Sequence, residues 1–81
     1  SLYKLYKYDS QKKGELIDTL ECFLNNNQSQ KKTSKAMFVH YRTIMYRLRK
    51  IAEITGMDFD NVTEMLIIRN GLMILRIIEE I

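Results

Sequence analysis

The 81 residues contain no proline, no tryptophan, three glycines, one cysteine and one histidine. Each shortage closes off a class of protein. A lone Cys22 permits no internal disulfide, and with His40 as the only histidine no structural zinc site can be assembled within the chain. A reducing, cytoplasmic setting is therefore expected, with no metal and no cofactor. No long charge-free apolar run occurs either: the most apolar stretch, 65–81, is broken by Arg69, Arg76, Glu79 and Glu80, so no membrane-spanning helix and no membrane partner are expected. A folded chain of this length still exposes roughly 40% of its unfolded surface, which argues against a deep catalytic cleft. With no nucleophile, base and acid in register, no enzyme is expected.

What is present is charge, unevenly placed. Thirteen Lys and Arg against ten Asp and Glu give a net charge of +3, but the segment 22–52 holds Lys31, Lys32, Lys35, Arg42, Arg47, Arg49 and Lys50 with no acid at all. The flanking segments are neutral (1–21) and acidic (53–81). Segregation of this kind concentrates positive potential on one region, the footprint of a polyanion-binding surface. The hydrogen-bonding side chains interleaved with it, Thr33, Ser34, His40, Tyr41, Thr43 and Tyr46, suit contacts to phosphates and base edges.

With proline absent, helix limits are read from caps and periodicity. Leu16, Ile17, Leu20, Phe23 and Leu24 mark one amphipathic helix over about 15–25, ended by Asn25-Asn26-Asn27. A short helix over about 30–38 places Ala36 and Met37 inward and its lysines outward. A third, about 41–55, carries Ile44, Leu48 and Ile51 on its apolar stripe and stops at Gly56, which tolerates the left-handed conformation that ends helices. Asn61-Val62-Thr63-Glu64 opens a last helix running to Glu80, in the manner of a capping box. The segment from Leu2 to Tyr8 is a short helix or an extended lead-in. The chain opens on Ser1 and runs directly into Leu2-Tyr3-Lys4, which reads as a piece of a longer protein: residues 1–13 as a lead-in from an upstream region, 14–81 as the domain. The fold expected is all-α, a bundle of four to five helices containing a helix-turn-helix.

A short helix and a basic one joined by a very tight turn, locked together by Ala36, Met37, Val39, Ile44 and Leu48, form the helix-turn-helix arrangement, whose second helix enters the major groove. The residues that carry this pattern also resemble a known family. Glu15-Leu16-Ile17-Asp18-Thr19-Leu20, then the run from Thr33 through Met37-Phe38-Val39-His40 to Tyr46-Arg47-Leu48, then Arg49-Lys50-Ile51-Ala52-Glu53-Ile54-Thr55-Gly56, are similar to the C-terminal DNA-binding domain of the PucR/CdaR family of bacterial transcriptional regulators of purine and sugar-diacid catabolism. Two departures stand out. Ser34 replaces an alanine, and Tyr41-Arg42 stands where Arg-Asn is usual, at the opening of the recognition helix. The resemblance implies sequence-specific binding of double-stranded DNA by a helix over about 41–55, and ligand sensing by an upstream regulatory domain of the same chain.

Roles follow from position. Lys31, Lys32 and Lys35 are assigned to phosphates, Thr33 to phosphates or base edges, and Arg42 to a bidentate guanine contact with Tyr41, Thr43 and Tyr46 reading neighbouring groups. His40 is assigned as the N-terminal cap at the groove, with Arg47 and Lys50 gripping the backbone further along. The last helix has two adjacent apolar stripes, and a domain this small covers one of them. The other, Ile67, Gly71, Ile74, Ile78 and Ile81, is expected at a homodimer interface, with burial against an upstream domain or against the Leu2 to Tyr8 lead-in as its rivals. The competing function is a helical protein-interaction module whose basic face docks an acidic partner.

Overall fold

The computed structural model describes residues 2–11 and 14–80; Ile81 of the expected dimer stripe lies outside the described residues. Five helices follow in order, α1 (Leu2–Gln11), α2 (Glu15–Asn25), α3 (Gln30–Met37), α4 (Tyr41–Thr55) and α5 (Val62–Glu80), with no strand among the described residues. The molecule is all-α, and α3 and α4 form the helix-turn-helix. The central element is α2, on which every other helix rests; α1 also packs on α4 and α5, and α3 on α4. Leu20 and Leu24 of α2, Ile44 and Ile51 of α4 and Leu5 of α1 are fully buried. The segment containing Leu2 to Tyr8 is thus a helix with an anchor in the core.

Each junction has its own local cause. Gly14 takes a left-handed conformation (φ 69°) ahead of α2 and has no side chain with which to cap it. The buried carboxylate of Asp9 does so instead, accepting from the amides of Leu16 (2.9 Å) and Ile17 (3.1 Å), the groups a residue at the cap position would normally satisfy. Beyond α2, Asn27 and Gln28 both adopt positive φ, and the Gln28 side chain donates to the Phe59 carbonyl at 2.7 Å. Arg69 of α5 reaches back to donate to the Leu24 carbonyl, closing the end of α2. Ser29 caps α3 by accepting from the Lys32 amide. The expected capping box at α5 is only half formed: Asn61 accepts from the Glu64 amide, while the Glu64 carboxylate accepts from the Asp58 amide rather than reaching back to Asn61.

Two expectations for α3 need correction. It ends at Met37, because Phe38 is left-handed (φ 58°) and starts the turn. Ala36 is exposed, and the fully buried residue is Thr33, with Ser34 and Met37 half-buried beside it. These three share an arc of about 100° facing α2 and α4, and Ala36 falls outside it.

The middle of α2 is tied to α5 electrostatically. Arg76 donates to Glu21, Asp18 and Glu79 at 2.6–3.2 Å. These hydrogen bonds, that to Glu21 foremost and then Glu79 and Asp18, push its guanidinium pKa well above the ordinary arginine value. Gly71 faces α1, where a Cβ would come within 2.9 Å of a Leu2 methyl, so it belongs to an intrachain contact rather than to the open stripe in which the sequence pattern placed it.

Candidate nucleic-acid interface

The face to be tested is the outer surface of α3 and α4. Ile44, Leu48 and Ile51 turn one side of α4 into the core, and the opposite side is left to solvent. There Tyr41, Arg42, Met45, Tyr46 and Arg49 line a shallow open depression of about 320 Å³. Spacings of three, four and five residues bring them onto a single helical face. Above it sits His40, whose Nδ1 accepts from the Arg42 amide at 3.1 Å and whose ring stacks on Tyr41 at 4.9 Å. His40 is therefore the cap the sequence pattern assigned to it, and through Tyr41 it also fixes the first side chain of the face.

Lys31, Lys32 and Lys35 are exposed along the outside of α3, and no ion pair among the described residues engages them or Arg42 and Arg49. Cations held by no carboxylate keep their charge available to an external anion.

The structure takes three of the assigned residues away from this face. Thr33 is fully buried and its hydroxyl donates to the Ser29 carbonyl at 2.7 Å. Arg47 turns back to α2, pairing with Glu15 at 2.8 Å and donating to the Thr19 hydroxyl at 3.3 Å, with only 14% of its side chain exposed. Lys50 bends toward α1, its ammonium 5.8 Å from the centre of the Tyr8 ring and 4.0 Å from Glu53. Thr43 is half-buried beside the exposed face.

Two of the residues on the face, Met45 and Arg49, were not assigned to it from the sequence. Continuing the helical step of four from Tyr41 would have found both. Phe38 is different: 94% of it is exposed at the turn between the two helices, and the sequence gives no signal for that conformation.

The comparisons with known proteins agree with this geometry. A family model of the PucR C-terminal helix-turn-helix domain matches residues 16–74, which takes in α2 through most of α5. The chain is 34% identical over 64 residues to the DNA-binding transcriptional activator AdeR of Bacillus subtilis (strain 168), covering 79% of this chain and 15% of that protein. It is 40% identical over 55 residues to the carbohydrate diacid regulator of Escherichia coli (strain K12), covering 68% and 14%. It is 36% identical over 53 residues to the proline-responsive transcriptional activator PutR of B. subtilis (strain 168), covering 65% and 13%. The chain thus corresponds to about a seventh of the length of these relatives. No solved structure matches. With a family model spanning most of its length and a helix-turn-helix whose outer face is free and cationic, the chain belongs to the PucR C-terminal helix-turn-helix family and is a DNA-binding helix-turn-helix domain.

Proposed function

We propose that the chain reads duplex DNA sequence-specifically with α4 in the major groove, working in the cytoplasm as one half of a homodimer and as the DNA-reading end of a longer regulator with an upstream regulatory domain. One observation carries the reading: Tyr41, Arg42, Met45, Tyr46 and Arg49 converge on the free side of α4 while the lysines of α3 flank them unpaired. Arg42, in the first turn, takes the base-edge role, where a planar fork of donors matches the two acceptors of guanine. Tyr41 and Tyr46 supply hydroxyls and ring faces to neighbouring groups. Lys31, Lys32, Lys35 and Arg49 meet phosphates, which gives affinity without sequence information. Arg47 and Lys50 keep the recognition helix seated on α2 and α1.

Support for an upstream domain comes from the relatives, which are several times longer than their aligned segments. Among the described residues no helix is long and apolar enough to cross a membrane.

Fluorescence anisotropy on labelled duplexes tests the reading. Affinity is expected to fall steeply with salt, and Lys32→Ala to reduce the log-log slope by about 0.9 while weakening all sequences equally. Arg42→Ala is expected to narrow the gap between operator and random DNA. Absence of duplex binding at low salt, together with salt-sensitive binding of an acidic protein, would replace the DNA reading with the interaction-module one.

A further inference from the structure

The outer face of α5 is the second conspicuous surface. Val62, Leu66, Ile67, Met73, Ile74, Ile77 and Ile78 are each more than half exposed. At about 100° per residue they fall within an arc of roughly 160° along the whole helix. Between Val62 and Ile78 no charged side chain falls inside that arc. The two arginines at its border are drawn off, Arg69 to the Leu24 carbonyl and Arg76 to the carboxylates of α2 and to Glu79. Ile68, Leu72 and Leu75, on the other stripe, are buried or half-buried against α1 and α2.

One polar amide sits in the middle of this surface. Asn70 lies at the centre of the arc and within one residue of the midpoint of the 19-residue helix. It is exposed, and its side chain makes no hydrogen bond among the described residues. We infer that α5 packs against α5 of a second copy, antiparallel, with the two-fold axis passing between the two Asn70 side chains. The inference rests on the homodimer reading above and assigns its interface and register.

Three observations select a second copy as the occupant. A carboxamide carries both donors and an acceptor, so under a two-fold rotation it is its own complement, and a single amide in an apolar seam is a known way of fixing register. Rotation about Asn70 also sets Leu66 opposite Ile74, Ile67 opposite Met73 and Val62 opposite Ile78, so that apolar positions meet apolar ones at three levels of the seam, while Ile77 meets the exposed Thr63. The apolar surface also continues beyond α5: all seven side chains are more than half exposed, and the apolar groove between α1 and α5, lined by Leu2, Tyr3, Tyr6 and Ile78, adjoins them and enlarges what a second copy can cover.

Cysteine cross-linking decides the register. In a Cys22→Ser background, Asn70→Cys is expected to form a disulfide-linked dimer on mild oxidation, since facing residues on the axis of a helix pair come within disulfide reach. Leu66→Cys and Ile74→Cys, each alone, are expected to cross-link poorly, and their mixture well. Ile74→Glu is expected to weaken dimerisation on the order of 100-fold by sedimentation, because the seam would bury an unpaired charge. Positions 66, 70 and 74 are exposed and Cys22 is half-buried, and helicity by circular dichroism checks that each variant folds. A sedimenting dimer with no Asn70→Cys cross-link, or with Leu66→Cys cross-linking to itself, would overturn this interface and leave the homodimer reading standing. A monomer at ~100 µM would remove both. Binding of a single half-site by α4 is expected to be unchanged in every variant.

Discussion

The outer faces of α4 and α5 are both exposed, both helical and both rich in large side chains, yet they suit different partners. On α4 the aromatic and apolar groups, Tyr41, Met45 and Tyr46, alternate with Arg42 and Arg49, so every apolar contact has a charge-assisted donor beside it. On α5 the apolar groups are contiguous, interrupted by two neutral polar side chains, Asn70 at the centre and Thr63 near the start of the helix. Exposed area alone therefore says little about what a surface meets. The spacing between charge and hydrocarbon separates a face suited to a hydrated polyanion from one suited to a dry, self-complementary seam.

Mutations that act beneath, beside and on these two faces test the contrast. The largest effect is expected from Leu20→Ala, which opens a cavity in the fully buried centre of α2 that supports both helices. Urea denaturation should show a loss of about 2–5 kcal/mol, and both surfaces should lose function together. Asp9→Ala removes the acceptor for two buried amides at the start of α2 and should cost about 1–3 kcal/mol in the same measurement, with DNA affinity per folded molecule unchanged.

Arg42→Ala should lower discrimination between operator and random DNA by about 1–3 kcal/mol in competition anisotropy, while the sedimentation behaviour set by α5 stays as it was. Equal losses on both DNAs would take the base-reading role from Arg42. The smallest effect is expected from Arg47→Gln: its partner Glu15 is largely exposed, so stability should change by less than about 1 kcal/mol and the salt slope of DNA binding not at all. A reduction of that slope by about 0.9 would return Arg47 to the phosphate-contacting set.

Most of the helical framework was legible in the sequence. The limits of α2 and α4 and the end of α5 match the periodic stripes and the glycine at 56, because the residues that start, sustain and stop a helix are neighbours in sequence. The short α3 was less legible, since eight residues contain too few turns to fix which side faces inward, and Thr33 took the place given to Ala36. For α1 the sequence left a short helix and an extended lead-in equally open, and the structure makes it a helix over Leu2–Gln11. Its evidence is one deeply buried leucine and a carboxylate that serves another helix.

The sequence by itself determined that the chain is helical, where its charge gathers, which helix presents that charge and which family it belongs to. All of these depend on the local order of residues. Tertiary structure alone decided which cations remain free and which apolar stripe stays open. Arg47, Arg49 and Lys50 are near neighbours in one basic run, yet Arg47 meets a glutamate 32 residues earlier, Lys50 leans over a tyrosine of α1, and Arg49 meets neither. A long charged side chain goes to the partner that packing brings within reach, and that partner is set by how α1 and α2 lie against α4. The same packing covers Ile68 and Leu72 of α5 and leaves Ile74 and Ile78 in water, because α1 and α2 can shield only one side of a helix that is apolar on two.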